Sequence, residues 1–392
     1  MKKVYIFEFQ DIRFASRARK EAFTLSNNGF DVTLIGFNQT ASKKKIYFDQ
    51  NVRLIEYSLF CNHKKSILHK FIAIFIFNLK LLPFFLFTKA DIYHAHDLKF
   101  IYLGFIGKAI YKGKLIYDAH ELHVEKRKIS NTVDKFFRNR DFVREKKVIK
   151  RADIIIQANL PRAKYFSKIY KTPLPLVIEN HEVIFRFENN NTKTLRETIG
   201  VREKIIIIFT GNVSIGGNQK VDNIIKAMEY LSEDFIFCTL GSVTDYTKKQ
   251  LLKISNSINV QKRVFFLPPV LSESVVPTIS SADLAIIPIY ANCLNSEFSA
   301  LNKFSQSLMA GLPIVCSDYE NIKDIIFNNP IGQVGDVFDV ENPISISEAV
   351  VRCSVNNDSY KSMKQNASLL AHEYLNWDVE GKKLIKAYNK ML

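Results

Sequence analysis

Histidine and acidic side chains, which can move protons or hold hydroxyl groups, gather at two points in the first half of the chain. The run YHAHD places His94, His96 and Asp97 at the end of a predicted strand. The run LIYDAHELH ends the next predicted strand with four such residues, Asp118, His120, Glu121 and His123. Because His94 and His96 are two positions apart, their side chains share one face of the strand. We expect a functional cluster here, and hydrogen-bonded polar residues without a chemical role are the alternative.

The loop YANCLNSEFSALNKF, in the second half, leads into a short predicted helix. Ser299 and Asn302 are residue types that cap helices, and Lys303 adds a positive charge at the start. Free backbone amides at a helix N-terminus bind phosphate, so the sequence predicts an anion site at this point. Glu297 and Gln306 flank the site and can accept hydrogen bonds from sugar or ribose hydroxyls.

A second candidate phosphate loop, residues 211–220, follows the apolar run IIIIFT. Its glycines allow the backbone to come close to a diphosphate, and a helical pattern follows the loop. The loop matches neither GxGxxG nor GxxxxGK[ST], so an ordinary turn without a ligand is the alternative.

Short apolar runs that favour strands alternate with helical patterns along the whole chain. This order is typical of βαβ units, and near-continuous apolar strands are buried on both faces of a parallel sheet. The sequence therefore predicts an α/β fold with two doubly wound, Rossmann-like domains facing a central cleft. The predicted strands are residues 4–9, 32–37, 52–57, 92–95, 115–118, 154–158, 176–179, 205–210, 235–240, 264–267, 284–288 and 314–317.

The polar stretch 186–202 separates the two series of strands and is the predicted linker. We place the first domain at 1–185, the second at 203–370 and a closing helix at 371–392. A chain of 392 residues with 47% apolar and 24% charged residues suits two globular domains and excludes disorder, collagen and coiled coil as the main architecture. Five dispersed cysteines without CxxC spacing predict neither a disulfide framework nor a zinc site.

The positive charge of the chain lies almost wholly in its first half. Residues 1–180 hold 34 Lys and Arg against 16 Asp and Glu, a net +18, whereas residues 181–392 hold 21 against 23, a net −2. This asymmetry predicts an anionic partner for the first domain, either nucleic acid or a membrane surface. Nucleic acid is disfavoured because the sequence shows neither a recognition helix nor an RNP-like strand.

The most apolar window is residues 67–87, ILHKFIAIFIFNLKLLPFFLF. Lys70, Asn78, Lys80 and Pro83 interrupt it, so a membrane span is not expected. One interpretation is a helix packed in the core of the first domain. The other is a helix in the membrane interface, with lysines near headgroups. The lysines concerned are Lys64, Lys65, Lys70 and Lys80.

Eight segments, in order, resemble the GT-B glycosyltransferases of family 4, particularly bacterial members of polysaccharide and lipopolysaccharide pathways. They are RARKEAFTLSNNGFDVTLIGF, ADIYHAHD, KLIYDAHE, RADIIIQAN, FTGNVS, VFFLPPVLSESVVPTISSADLAIIPI, LNKFSQSLMAGLPIVCSD and NWDVEGKKLIKAY. The resemblance implies a retaining transfer of a sugar from a nucleotide-sugar donor, with no cofactor and no obligatory metal. It also implies a donor held mainly by the second domain, an acceptor held by the first, and a final helix that crosses back to the first domain.

By the same resemblance, His120 would contact a hydroxyl of the donor sugar and help to stabilise an oxocarbenium-like transition state. The helix that starts at Asn302 would bind the diphosphate and relieve its developing charge. The residues assigned to catalysis are His120, Glu121, His96 and Asp97. Those assigned to the donor are Gly211, Asn212, Lys220, Gly241, Val270, Glu297, Ser299, Asn302, Lys303 and Gln306.

The sequence also departs from the family pattern. Gln306 stands where the second Glu of the usual E-x7-E pattern is expected, and Asn212 and Gly217 occupy the usual Arg and Lys positions after the second domain's first strand. These changes bear on donor affinity and nucleotide choice, because Gln306 can hydrogen-bond a ribose but carries no charge. The loop EFQDIRFASRARK replaces the glycines of many members with four basic residues suited to an acceptor pyrophosphate or lipid headgroups, namely Arg13, Arg17, Arg19 and Lys20.

These observations together favour a glycosyltransferase on the cytoplasmic face of a bacterial plasma membrane. Its acceptor would be a lipid-linked oligosaccharide, lipopolysaccharide or capsule precursor, and no signal peptide is expected from the N-terminal run MKKVYIFEFQ. One alternative is a nucleotide-sugar epimerase or hydrolase of the same fold. The other is a degenerate, non-catalytic binding homologue.

Overall fold

The computed structural model of the protein describes residues 1–38, 42–59, 67–126, 128–184, 193–299, 302–354 and 358–392. The side chains of residues 67, 68, 70 and 71 are outside this description. Cys61, Lys64, Lys65 and the first part of the predicted linker also lie outside it. The chain forms two compact units, Met1–Glu179 with Glu380–Leu392 and Asn180–Val379.

The first unit is built on a sheet whose order is β3-β4-β2-β1-β5-β6-β7-β8, with eight strands in the part of the chain described. All neighbouring strands are parallel except β3, which pairs antiparallel with β4. The strands are β1 Lys2–Asp11, β2 Phe30–Asn38, β3 Lys45–Asp49, β4 Val52–Ser58, β5 Ile92–His96, β6 Lys114–Ala119, β7 Ile154–Gln157 and β8 Leu176–Val177.

Helices follow most strands of this sheet and cover its faces. Alternate positions of β1 carry aromatic side chains, Tyr5, Phe7 and Phe9. They pack in one core against Phe77 and Phe85 of the helix Ile67–Phe87. This alternation is the period of two that a strand imposes on its side chains. The helices are α1 Ser16–Asn27, α2 Ile67–Phe87, α3 Ile101–Tyr111, α4 Thr132–Ile149 and α5 Leu160–Tyr170.

The second unit has a parallel sheet of order β11-β10-β9-β12-β13-β14, six strands within the described residues. Its strands are β9 Ile205–Thr210, β10 Phe235–Leu240, β11 Val264–Leu267, β12 Leu284–Ile287, β13 Ile314–Ser317 and β14 Gly335–Phe338. Its helices are α6 Leu195–Ile199, α7 Val221–Ala227, α8 Asp245–Ser257, α9 Ser272–Ile279, α10 Leu294–Glu297, α11 Asn302–Met309, α12 Glu320–Ile326, α13 Pro343–Arg352 and α14 Ser359–Glu373. The last helix is α15, Trp377–Met391. From Glu380 onward, the chain belongs with the first unit.

The predicted class of two doubly wound parallel sheets is confirmed. In each sheet the strand order reverses beside the first strand of the unit, between β1 and β5 and between β9 and β12. At such a point the connecting helices leave in opposite directions, and the crevice that results at the carboxyl ends of the strands is where α/β sheets bind ligands. The fold therefore directs attention to the residues that follow β1, β5, β9 and β12.

Helix α2 has apolar residues on two opposite stripes. Ala73, Phe77, Leu81 and Phe85 are fully buried at intervals of four, which confirms the prediction of a core-packed helix. The outward stripe is apolar as well and includes Ile72, Phe75 and Leu79, which are 41%, 64% and 52% exposed. Among the helices of the described residues, none is long and apolar enough to cross a membrane.

Candidate functional site

Three strands of the first unit bring polar side chains to one edge of the sheet. Glu8 lies near the end of β1, His96 ends β5, and Asp118 lies near the end of β6. A cavity of about 240 Å³ opens at this edge. The residues that line it are Glu8, Phe9, Gln10, His96, Asp97, Lys99, His120 and Glu121. The polar residues predicted at the ends of two neighbouring strands therefore meet at one cavity.

Beside the cavity lies a buried polar cluster of five residues, Arg17, Glu21, His94, His96 and Asp118, each at most 6% exposed. Arg17 donates to both carboxylate oxygens of Asp118, at 2.8 and 3.1 Å, and to the backbone carbonyl of Ile178 at 2.7 Å. The Nε atom of Arg17 also lies 3.1 Å from Glu21 Oε1, one helical turn further along α1. A buried ion pair is tolerated when it is compensated in this way by several hydrogen bonds.

The histidine rings of the cluster connect it to the cavity. His94 and His96 stack with ring centroids 4.7 Å apart, as expected from their shared face of β5. The Nδ1 atom of His94 lies 2.7 Å from the hydroxyl of Tyr388, in the part of α15 that belongs to this unit. The Nδ1 atom of His96 lies 2.8 Å from Nε2 of His120, and its Nε2 atom lies 3.3 Å from Glu21 Oε2.

The surroundings of these rings drive their pKa values apart. Burial alone would lower the pKa of His120, but the carboxylates of Asp118 and Asp97 outweigh burial and raise it to about 9. Burial, reinforced by the positive charge of His120, lowers the pKa of His96 to about 4. At neutral pH the pair therefore consists of a charged His120 and a neutral His96. Burial also raises the pKa of Glu21 to about 7.

Asp97 fixes the loop that carries His120. Its backbone has a φ of 61°, in the left-handed region that aspartate tolerates better than most residues. Its Oδ1 atom accepts a hydrogen bond from the backbone N–H of His120 at 3.3 Å and lies 3.1 Å from His123 Nε2. Burial would raise the pKa of Asp97, but His123 and His120 lower it well below its ordinary value. Asp97 is therefore an ionised carboxylate that holds the backbone of His120 in place.

The residues predicted to be catalytic divide into two groups. His120, with its side chain 22% exposed, Asp97 and Glu121 line the cavity, and Glu121 forms an ion pair with Lys126. His96 also borders the cavity, but it is 0% exposed and its ring is held by neighbouring side chains. His96 is thus placed to act through His120.

The four basic residues predicted at an acceptor or membrane surface do not share one environment. Arg13 and Arg19 are partly exposed and pair with neighbouring carboxylates at 2.6 and 2.7 Å. Arg17 and Lys20 are buried, at 6% and 8% exposure, so the prediction that they face headgroups is wrong. Both lie on the buried face of α1, which packs toward the sheet rather than toward solvent. Lys80 of α2 is likewise bound, to the backbone carbonyl of Ser58 at 2.9 Å.

Sequence reasoning missed two carboxylates of this region, Glu8 and Glu21. Glu8 is 8% exposed, and its Oε2 atom has no hydrogen-bond partner among the described residues. Its Oε1 atom lies 3.8 Å from Nδ1 of His120. The available signal was a charged residue inside the apolar strand run VYIFEF, where a carboxylate is costly unless it has a purpose. Glu21 gave no such signal, because acidic residues are common on helices.

In the second unit, Lys303 lies at the start of α11, where the sequence predicts an anion site. It is the second residue of α11, and its Nζ atom is buried without a hydrogen-bond partner in the described part of the chain. Nζ lies over the ring of Phe209, 4.2 Å from its centroid. Burial lowers the pKa of Lys303 to about 7. A buried amine that faces only an aromatic ring is poorly compensated, so a bound anion would complete the site.

Two glycines allow this lysine to lie against the ends of β9 and β10. Gly211 and Gly241 have φ values of 117° and 158°. A Cβ atom on Gly211 would lie 2.9 Å from Cε of Lys303, and one on Gly241 would lie 2.0 Å from the carbonyl oxygen of Gly211. Both positions therefore require glycine for close packing, and the role predicted for Gly211 and Gly241 in donor binding stays a prediction.

Other residues predicted to bind the donor lie near α11 but have partners of their own. Asn302 accepts a hydrogen bond from Asn180 at 2.8 Å, and Gln306 donates one to Glu182 at 3.1 Å. The amide of Gln306 thus borders a carboxylate from the segment that precedes the linker. Ser299 donates to the backbone carbonyl of Ser296 at 2.6 Å. Because residues 300 and 301 lie outside the described chain, the predicted caps of α11 remain predictions.

The loop after β9 is more open than a tight phosphate loop. Asn212 is exposed, and the Nζ atom of Lys220 lies 4.2 Å from the ring centroid of Tyr290 rather than at Gly211. Val270 is 38% exposed, after β11, and Glu297 ends α10. In this structure the positive charge closest to Gly211 is therefore supplied by α11, not by the loop itself.

Comparison with solved structures decides the fold. A sucrose-phosphate synthase from Thermosynechococcus elongatus superposes with a TM-score of 0.77 at 12% identity, over 100% of this chain and 99% of that one. HepE from Anabaena, in complex with UDP and glucose, superposes with a TM-score of 0.71 at 12% identity over 100% of both chains. The chain has the GT-B fold. Each of its two sheets forms the centre of one of the two Rossmann-like domains of that fold.

The family comparison concerns the second half of this GT-B chain. Residues 204–356 match the family Glycosyl transferases group 1. A UDP-N-acetylglucosamine–N-acetylmuramyl-(pentapeptide) pyrophosphoryl-undecaprenol N-acetylglucosamine transferase from Caldicellulosiruptor saccharolyticus is 25% identical over 158 residues. That match covers 39% of this chain and 40% of the relative. The match to the glycosyl transferase family thus includes β9 to β14, with Gly211, Gly241 and Lys303.

Proposed function

We propose that this chain is a glycosyltransferase that transfers a sugar from a nucleotide-sugar donor to a lipid-linked or other saccharide acceptor. The observation that carries the proposal is the buried Nζ atom of Lys303 beside Gly211, which has no hydrogen-bond partner among the described residues and lies in the unit that matches the glycosyl transferase family. The proposal is supported by Anabaena HepE, a structurally similar protein that was solved with UDP and glucose and with UDP-glucose. The diphosphate of such a donor would supply the anion that Lys303 lacks.

In the proposed reaction the bond between the anomeric carbon of the sugar and the β-phosphate oxygen breaks. The nucleoside diphosphate leaves with the electron pair, the acceptor hydroxyl oxygen bonds to the anomeric carbon, and the hydroxyl proton is released. Charge builds on the leaving diphosphate, so an amine at Lys303 stabilises the transition state more than the ground state. We propose that Lys303 supplies that stabilisation.

His120 would act at the sugar as a hydrogen-bond donor. Its Nε2 atom is engaged with His96, so Nδ1–H, on the side of Glu8, is the group it can offer to a hydroxyl in the cavity. A charged imidazolium alone would repel an oxocarbenium-like sugar. The carboxylates of Glu8 and Asp97 offset that charge, and Glu8 Oε2 is the group we propose to face the developing positive charge.

The acceptor side of the proposal is a membrane surface, on the cytoplasmic face of the plasma membrane. The first half of the chain carries a net +18, and α2 presents the exposed apolar stripe of Ile72, Phe75 and Leu79. Helix α4 adds exposed Phe136, the first residue of the basic run FFRNRDFVREKK, and exposed Val133, three residues before it. Apolar side chains flanked by basic residues are the composition that binds anionic interfaces. Lipopolysaccharide and capsule precursors are the acceptors that we propose at such a surface.

A thermal-shift panel tests the donor site directly. UDP, GDP, CMP, ADP and their common sugar conjugates are added to wild type, to Lys303→Met and to Lys253→Met, a control at an exposed lysine of α8. We expect one nucleotide family to raise the Tm of wild type and K253M and to leave K303M unchanged. Stabilisation by no nucleotide at millimolar concentration would favour the non-catalytic alternative.

A further inference from the structure

Glu21 is a buried carboxylate whose two oxygens face different partners. It lies on α1 with 0% exposure, and Oε1 is 3.1 Å from the Nε atom of Arg17. Oε2 is 3.3 Å from Nε2 of His96 and 3.6 Å from Nε2 of His94. Among the described residues, neither these oxygens nor Nε2 of His94 and His96 has a hydrogen bond of good geometry, so the contacts between them are electrostatic. A carboxylate this deep is costly, and the contact with Arg17 compensates only one of its oxygens.

His96 joins Glu21 to the ring at the cavity. Its two nitrogens face opposite ways, Nε2 toward Glu21 Oε2 at 3.3 Å and Nδ1 toward His120 Nε2 at 2.8 Å. A neutral imidazole carries one N–H, so it donates with one nitrogen and accepts with the other. Because His120 is the charged member of the pair, it must donate to Nδ1 of His96. The proton of His96 then resides on Nε2, on the side of the Glu21 carboxylate.

We propose that Glu21 is a positioning residue that acts through His96 on His120. Its carboxylate, 3.3 Å from Nε2 of His96, favours by its charge the tautomer with the proton on Nε2, whose Nδ1 atom accepts from His120, and so sets both the orientation and the protonation of the ring at the cavity. A carboxylate that selects a histidine tautomer in this way is a known means of preparing a second group for chemistry. The proposal rests on the proposed function only in that His120 meets a substrate.

The same four side chains, Glu21, His94, His96 and Asp118, also lie close enough together to bind a metal ion. The charges argue for the positioning role instead. Arg17 donates to both oxygens of Asp118, and its Nε atom is 2.8 Å from the Oδ2 atom that would be a ligand. A divalent ion there would lie against the buried guanidinium of Arg17. That guanidinium already supplies the positive charge that Glu21 and Asp118 need.

The charged and titratable groups that face this chain of contacts come from several elements. Around Glu21 they are Arg17 of α1, His94 and His96 of β5, Asp118 of β6 and Tyr388 of α15. Around His120 they are Glu8, His96, Asp97 and Asp118. Replacement of Glu21 removes one carboxylate from this set and leaves the others in place.

Nitrogen-15 NMR of histidine-labelled protein tests the proposal without any substrate, so its outcome is separate from that of the transfer reaction. In wild type we expect His96 as the Nε2–H tautomer. In Glu21→Gln, whose amide can donate to Nε2, we expect a shift toward Nδ1–H and a His120 pKa lower by roughly one unit. Glu21→Asp keeps the carboxylate and should retain most of the wild-type tautomer.

Glu145→Gln is the matched control, because Glu145 is a buried carboxylate of the same unit that accepts from Tyr117 and Tyr170 instead of a histidine. This variant should change neither the tautomer of His96 nor the pKa of His120. An Nδ1–H tautomer of His96 in wild type overturns the proposal even if E21Q fails to fold. Unchanged histidine signals in folded E21Q overturn it too, as does a stoichiometric metal ion in purified wild type.

Discussion

The Nδ1 atom of His96 lies 2.8 Å from the Nε2 atom of His120, so one proton is shared between a fully buried ring and a ring at a cavity. The two residues are at the ends of neighbouring parallel strands, 24 positions apart. Their separation in pKa, about 4 against about 9, follows from burial on one side and carboxylates on the other. This pair links the buried polar cluster to the proposed chemistry.

The raised pKa of His120 predicts a pH dependence of stability. The folded state binds the His120 proton more tightly than the unfolded chain, whose histidine has an ordinary pKa of about 6.5. The resulting stabilisation is complete below pH 6.5 and is lost as the pH rises through 9. The difference in unfolding free energy between wild type and His120→Asn should therefore shrink by roughly 1–3 kcal/mol between pH 6.5 and 9. Urea unfolding at both pH values measures it, and a constant difference would contradict the charged state of His120.

Lys303→Met should stabilise the ligand-free protein while it removes nucleotide binding. Burial lowers the pKa of Lys303 to about 7, so at neutral pH and below the folded state carries the cost of a poorly solvated amine. The cost falls as the pH rises from 7 toward the ordinary lysine value, because the unfolded chain then also loses the proton. We expect a Tm increase of roughly 2–4 °C at pH 6.5 and a smaller one at pH 9.5. K253M is the control, and a lower Tm for ligand-free K303M would count against the uncompensated charge.

Arg17→Met should be among the most destabilising changes on α1. It would leave Asp118 as a buried carboxylate without its guanidinium partner, a change that costs about 3–5 kcal/mol in comparable buried pairs. Arg19→Met on the same helix breaks a partly exposed pair with Asp49 and should cost about 1 kcal/mol or less. Urea unfolding compares the two variants. Equal destabilisation would show that Arg17 is not the counter-ion of the cluster.

A double variant, Phe75→Asp with Leu79→Asp, should weaken binding to anionic vesicles. Both side chains are more than half exposed on the outward stripe of α2, and each would lose about 1.5–3 kcal/mol of apolar transfer energy. We expect about a hundredfold loss of affinity in flotation with phosphatidylglycerol vesicles. Tyr246→Asp, at a position 72% exposed in the second unit, is the control. Wild type that does not float with these vesicles would remove the membrane surface from the proposal.

Much of the fold could be predicted because the sheets are buried on both faces. The apolar runs of β9, β10, β11 and β13 give strand bounds that agree with the structure at both ends. Strand β3 was not predicted, because its five residues pack at an edge with four of them exposed and show no inward alternation. Strand β14 was missed because it has only two apolar residues, after a glycine.

The site was predictable only where its residues follow strands. His96, Asp97 and His120 could be placed together because parallel strands end at one edge of the sheet. Arg17 and Glu21 could not, because α1 pairs with residues 73 to 161 positions away, and such pairing leaves no trace in local sequence. A basic residue on a helix is most often solvated, which is why Arg17 was predicted at a surface and is instead buried.

The most direct test of the central claim is product analysis. Purified protein is incubated with the nucleotide sugar that the thermal-shift panel selects and with a bacterial lipid extract, and mass spectrometry follows both nucleoside diphosphate and glycosylated lipid. We predict that both appear together in wild type and in His372→Asn, and fall by roughly 10²- to 10⁴-fold in His120→Asn. Diphosphate release without a glycosylated product would contradict transfer and point to a hydrolase, and the absence of both would contradict catalysis.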